Sequence, residues 1–155
     1  MERIPITRAG YESLKQELEH LKTVERPNNI KAIEEARAHG DLSENAEFHA
    51  AKERQSFIEG RVSELGYKLG NADIIDTNNL PRERLVFGLR AVLENIDTGE
   101  SAEYMLVGPD ESDIDAGRIS VTSPLGRALL GKEIGEEVVV LAPAGRRVYE
   151  IVDIV

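Results

Sequence analysis

Phe48, Ala51, Gln55, Ile58, Val62, Leu65 and Leu69 recur at steps of three and four residues, which puts them on one stripe of an α-helix. A heptad seam of this width, with Gln55 as its one polar member, is too narrow to cover a sheet and buries against one partner helix. The nearest partner lies upstream, where Leu14, Leu18 and Leu21 form a stripe of their own. Thr7 can cap the helix that carries them, and Ile6 can close over Tyr11 as a hydrophobic staple. Pro27 lacks a backbone donor and crowds the preceding turn, so a kink or short break is expected near Glu25-Arg26. Ile30, Ile33 and Ala36 then resume out of phase with the earlier stripe, which fits a bend. The expected product is an antiparallel hairpin joined by a short turn. Its first arm, Arg8 to His39, would run roughly 45–50 Å at 1.5 Å per residue.

The turn between the arms reads His39-Gly40-Asp41-Leu42-Ser43-Glu44-Asn45. Gly40 tolerates the positive φ that ends helices. Asp41 and Glu44 follow, three residues apart, and support two readings. As a capping box, Asp41 accepts from a first-turn N–H of the second helix and Glu44 reaches back. As metal ligands, the two carboxylates share one divalent cation through hard oxygens. Magnesium takes six oxygens, so two carboxylates make half a site, with the remaining ligands drawn from water or a second molecule. His20 reads as a solvated surface residue. His39 and His49 flank the turn, where they read as surface histidines within reach of a metal. Arg37, Lys52, Arg54 and Arg61 form a small basic cluster. Ion pairing with Glu53, Glu47 or Glu34 accounts for it; a few phosphate contacts on an RNA end are the alternative.

Gly66 and Gly70 loosen the end of the second helix, and Gly70-Asn71 stops it. Asp76 to Pro81 is a linker by composition, so the domains are expected at 1–75 and 82–155, with 76–81 between them. Beyond it the period changes. Leu85 to Phe87, Arg90 to Ile96, Glu103 to Val107, Arg118 to Thr122, Glu137 to Ala142 and Arg147 to Val155 read as short strands. Asp97-Thr98-Gly99-Glu100 reads as a hairpin turn. One helix interrupts the strands, capped by Ser123, opened by Pro124 and ended by Gly131. The fold class is α+β in two domains: an antiparallel helical hairpin, then a small antiparallel sheet with one helix.

A formal net charge of −10 argues against a protein that coats DNA. The absence of cysteine excludes a disulfide framework and a cysteine zinc site. Met1 to Pro5 lacks the apolar run of a signal peptide, and no stretch approaches the roughly 20 apolar residues of a membrane span. The expectation is a soluble cytoplasmic protein. Nucleophilic catalysis has little support, and there is no P-loop, dinucleotide fingerprint or G-x-S-x-G.

The tip sequence, Glu34-Glu35-Ala36-Arg37-x-His39-Gly40-Asp41-Leu42-x-Glu44-Asn45-Ala46-Glu47, strongly resembles that of the bacterial transcript-cleavage (Gre) factors. Ile4-Pro5-Ile6-Thr7 with Gly10 resembles the family's start. Ile119-Ser120-Val121-x-Ser123-Pro124 with Leu130-Gly131-Lys132 resembles its C-terminal signature, so the likeness covers essentially the whole chain. It implies a coiled-coil hairpin followed by an FKBP-like domain. It implies bacterial RNA polymerase as partner, with the hairpin entering the secondary channel and the nascent RNA 3′ end cleaved in backtracked complexes. The chain would then be no enzyme by itself but a donor of groups to the polymerase active site. Asp41 and Glu44 would hold a magnesium ion shared with that site, with no cofactor in the free protein, and Ser43 and Asn45 would be accessory contacts. Arg37 and Lys52 match the basic patch; Lys52 stands where arginine is common, and lysine lacks arginine's two-pronged phosphate contact. Phe48 replaces a usual tyrosine. Ser120, Thr122, Ser123 and Pro124 match the loop expected to dock on the polymerase rim. Thr122 stands where a sister branch of the family carries an acidic residue. No membrane partner is implied, and the free protein is expected to be a monomer.

Two other functions fit parts of the sequence. A channel-binding inhibitor would share the fold without cleaving, although Asp-x-x-Glu-Asn argues against it. A prolyl isomerase or chaperone would use the second domain, although its sparse aromatics are poor material for a proline pocket.

Overall fold

The computed structural model describes residues 3–41 and 45–155. The chain divides into two compact units, residues 11–71 and residues 1–10 with 72–155. The helical unit is the hairpin that the seam requires. Its first arm is α1 (Arg8–His20), a π-helical turn (Leu21–Glu25) and α2 (Arg26–Ala38); its second is α3 (Ala46–Gly70). Leu14, Leu21 and Ala36 are buried on one arm and Ala51, Ile58 and Leu65 on the other, with Ile58 and Leu65 almost fully so. Contacts between the arms run in opposite directions: Asn45 meets Ala36, Arg54 meets Glu25 and Arg61 meets Glu17. The pairing is therefore antiparallel.

Pro27 acts differently from the expected break. It sits in the first turn of α2, and helical backbone runs into it through Glu25 and Arg26 without a break. Upstream, the Arg26 N–H reaches back five residues to the Leu21 carbonyl. That slip takes up one extra residue. Among the buried or half-buried positions of the first arm, Leu14, Leu18, Leu21, Glu25, Asn29, Ile33 and Ala36 follow at steps of three and four. A regular heptad continued from Leu21 would have presented Asn28 and Ala32, and both are exposed. The phase change read around Pro27 is thus a one-residue insertion in the helix. Ile30, assigned to the stripe by sequence, is 47% exposed, and Asn29 occupies the seam instead.

The second unit begins with β1 (Ile4–Thr7), which pairs in parallel with β2 (Ala72–Ile75). Residues 4–7 and 72–75, placed by sequence with the helices, thus belong with the C-terminal unit. Thr7 does cap α1, its hydroxyl accepting from the Gly10 N–H at 3.0 Å. Glu111 fastens this strand by accepting from the Thr7 N–H and the Gly108 N–H, each at 3.0 Å, and from the Thr7 hydroxyl. The main sheet has five strands in the order β5-β4-β3-β7-β6, where β3 is Arg90–Asn95, β4 Ser101–Val107, β5 Arg118–Ser120, β6 Glu137–Ala142 and β7 Gly145–Ile154. All neighbours are antiparallel except β4 and β5. Leu85 to Phe87 is not a strand; Leu85 lies fully buried under the sheet, with its carbonyl accepting from the Gly131 N–H. The helix α4 (Pro124–Leu129) closes the core with Leu129. Leu80, in the linker, packs against the same core. Among the described residues no helix is long and apolar enough to cross a membrane.

Candidate functional site at the hairpin tip

Helix α2 ends where the sequence stops it. His39 keeps helical geometry, and Gly40 turns away at φ 112° with its N–H directed to the Arg37 carbonyl at 3.5 Å. Helix α3 begins later than expected. Its cap is Asn45, whose side-chain oxygen accepts from the Phe48 N–H at 3.1 Å. Asp41 lies four residues ahead of that cap and cannot serve the first turn, so the capping-box reading of Asp41 is corrected: Asn45 holds that position. The Asn45 amide nitrogen also donates to the Ala36 carbonyl at 2.6 Å, on the opposite arm. Ser43 and Glu44 lie outside the described residues.

Asp41 is exposed at the end of the hairpin. It lines an open cleft together with His39, Asn45, Ala46 and Glu47. His39 Nε2 stands 3.9 Å from a Glu47 carboxylate oxygen, and both side chains are mostly exposed. The Phe48 ring meets the His49 ring edge-on at 5.9 Å. Among the described residues no group of three or more His, Cys, Asp or Glu could hold a metal. An exposed carboxylate in an open cleft suits a hard cation that takes its other oxygens from elsewhere.

The basic residues separate into two kinds. Arg61 grips Glu17 with two bonds of 2.6 and 2.8 Å and also meets Glu64 at 2.7 Å. Arg54 meets Glu25 at 2.9 Å and lies 5.1 Å over the Phe57 ring. Arg26, which the sequence reading did not single out, holds Glu59 with bonds of 2.7 and 2.8 Å. Ion pairing is thus the state of Arg54 and Arg61, mainly across the hairpin rather than with the neighbouring glutamates named from spacing. These partners hold carboxyls below their ordinary range: Arg61 acts on Glu17, Arg54 and then His20 on Glu25, Arg26 on Glu59, and Lys68 on Glu64. Nearer the tip, Arg37 is exposed with no ion-pair partner among the described residues, and Lys52 donates to the Gln55 side chain at 2.9 Å.

In the second unit, the loop carrying Ser120, Thr122, Ser123 and Pro124 is tightly built. Ser120 is buried, with its hydroxyl 2.6 Å from that of Thr122 and accepting from the Thr122 N–H at 3.1 Å. Ser123 donates to the Ser120 carbonyl at 2.7 Å and accepts from the Gly126 N–H at 3.0 Å, capping α4. Gly126 has no room for a side chain, because a Cβ there would lie 2.0 Å from the Ser120 carbonyl oxygen. Thr122 and Pro124 are the exposed members. Beside them lies an apolar hollow of about 290 Å³, bounded by Tyr104, Ile114, Pro124, Leu125, Leu141 and Tyr149. Sequence reading missed the hollow, because its walls come from separate elements with no shared spacing.

Comparison with known proteins covers the chain in two consecutive parts, and their boundary falls at the end of β2. Residues 4–74 match the family described as transcription elongation factor, N-terminal, and residues 80–155 match transcription elongation factor, GreA/GreB, C-term. Transcription elongation factor GreA of Hyphomonas neptunium is 56% identical over 155 residues, covering 100% of this chain and 99% of that protein. The corresponding factor of Thermodesulfovibrio yellowstonii is 56% identical over 153 residues, covering 99% and 97%. Among solved structures, GreA factor homolog 1 (Gfh1) of Thermus thermophilus is 31% identical, with 99% of each chain covered and a TM-score of 0.45. The chain belongs to the GreA/GreB family of transcription elongation factors.

Proposed function

We propose that this factor, of the GreA branch, inserts its hairpin into the secondary channel of bacterial RNA polymerase and stimulates cleavage of the nascent RNA 3′ end in backtracked complexes. The observation that carries this reading is the exposed Asp41 in an open cleft at the end of a helical hairpin. Asp41 and Glu44 would supply carboxylate oxygens toward a magnesium ion shared with the polymerase active site. A second ion of that kind, when bound, stabilises the attacking and leaving oxygens of a phosphoryl displacement. The chain would act as an accessory to another catalyst, since two carboxylates supply only part of the six-oxygen sphere that magnesium takes.

The remaining residues take supporting parts. Arg37 and Lys52 are placed toward the tip and lack a carboxylate partner among the described residues, so they are the cations available to RNA phosphates. Lys52 would act as a point charge. Thr122 and Pro124 offer the exposed edge of the docking loop, and Ser120 and Ser123 give it shape.

The test uses purified polymerase halted in a backtracked state, with RNA length followed over time. The chain should restore extension by generating a new 3′ end. Asp41→Asn and Glu44→Gln should compete for polymerase as the unaltered chain does and cleave at least 100-fold more slowly, about 2.7 kcal/mol in the barrier. Normal cleavage by both variants would reject the reading. Blocked extension without shorter RNA would identify a channel inhibitor.

A further inference from the structure

We propose that Asn45 is a positioning residue which sets the aperture of the tip and thereby the placement of Asp41. This rests on the reading of the tip given above. Asn45 was grouped by resemblance with accessory contacts to a partner, yet its side chain is engaged within the hairpin. One end accepts from the Phe48 N–H and so opens α3; the other donates to the Ala36 carbonyl in the last turn of α2. The two helix ends that bracket residues 40–44 are thus joined through a single amide.

The residue type matters. Ser, Asp and Asn all make good N-caps, because each supplies an acceptor oxygen. Asparagine carries its acceptor and its donors on separate atoms, so the oxygen can cap one helix while the NH₂ reaches the carbonyl of the other; serine has one shorter hydroxyl for both tasks, and aspartate has no donor. Asparagine does this without charge, adding nothing to the carboxylates of Asp41 and Glu47 in the cleft.

Packing near the tip explains why the bridge counts. The buried seam members there are Ala36 and Ala51, and Phe48 is only half-buried. Alanines bury little apolar area, so the arms are held weakly by side-chain contact at this end. The same Ala36 carbonyl accepts from the His39 N–H at 3.2 Å. The amide therefore joins the arm just before the turn that leads into Gly40 and Asp41. Loss of the bridge would let that turn fray while the rest of the hairpin stays paired.

The experiment compares the unaltered chain, Asn45→Ser, Asn45→Asp and Asp41→Asn. Serine and aspartate both keep the cap; aspartate removes the donor outright, and serine replaces the separate NH₂ with a single shorter hydroxyl. In the free protein, amide hydrogen exchange should speed up several-fold at His39 and Gly40 in both Asn45 variants, with Phe48 remaining protected. In halted backtracked complexes, the concentration of Asn45→Ser giving half the maximal effect should be unchanged. Its saturating cleavage rate should fall about tenfold, as expected when a reacting group is held less accurately, and its magnesium requirement should rise. Asn45→Asp, which keeps the stronger cap should serine fold poorly, should also lose saturating rate. Exchange and cleavage like the unaltered chain, alongside an inactive Asp41→Asn, would overturn the role of Asn45 alone. A changed half-effect concentration with full saturating rate would also overturn it, by making Asn45 a docking contact. An active Asp41→Asn would remove the underlying reading of the tip, and this inference with it.

Discussion

Replacing Leu65 with alanine should cost the hairpin roughly 3–4 kcal/mol. Leu65 is fully buried on the seam of α3. Truncation removes three carbons from a dry contact, about 2.4 kcal/mol at ~0.8 kcal/mol per methylene. A cavity adds to this unless the site collapses, and Leu→Ala changes in cores span roughly 3–5 kcal/mol. Collapse is resisted because the neighbouring turn is fastened across the hairpin by the two-pronged Arg61–Glu17 pair. At about 4–8 °C per kcal/mol for a unit of this size, the helical transition should move down by roughly 12–30 °C. Circular dichroism at 222 nm reports it, since most of the chain's helix lies within residues 11–71. The control is Tyr67→Ala, two residues along and 61% exposed; its effect should stay within about 0.5 kcal/mol. If the two variants melt together, the seam is not what holds the hairpin closed.

Two further perturbations test the ion pairs and the loop at 120–126. Because Glu17, Glu25, Glu59 and Glu64 titrate below their ordinary value of 4.5 when folded, the unfolded chain binds more protons as pH falls through that region. Their contribution should be complete above about pH 5 and lost on further acidification; a hairpin melting temperature that holds or rises from pH 5 to pH 3 would contradict the cross-arm pairs. Gly126→Ala drives a Cβ to within 2.0 Å of a backbone oxygen that has no flexible side chain to yield, so the C-terminal unit should lose about 1–3 kcal/mol in denaturant unfolding. Unchanged stability would mean that the loop relaxes freely.

The hairpin was legible because its signal is periodic and local. Seven positions at heptad spacing on α3 permit one solution, and the structure uses them all. The cap was harder to read. Asp41 with Glu44 and Asn45 with Phe48 both offer a capping residue three positions before a first-turn amide. What separates them is the Ala36 carbonyl on the other arm, which rewards a side chain able to donate. The π-turn was visible as a phase shift, but proline suggested a bend; the alternative was to count one inserted residue and find Asn29 in the seam. The parallel pair β1–β2 left no local trace, because four-residue strands far apart in sequence have no pattern that links them, and Ile6 looked like a helix staple. The loop at 120–124 shows the same limit: Ser123 was readable as a cap, whereas the burial of Ser120 depends on Gly126 passing close to its carbonyl.

The pairing of Ile4–Thr7 with Ala72–Ile75 has a consequence for how such a molecule assembles and diversifies. Taken along the chain, those strands are separated by roughly sixty residues, a long loop to close by chance. A hairpin that zips up first delivers its own start and finish together, so the strands meet over a short gap. The arm then behaves as a cassette spliced between two neighbouring strands. Matched heptads could be added to or removed from both helices, changing the length of the hairpin while the sheet unit keeps its own pairing.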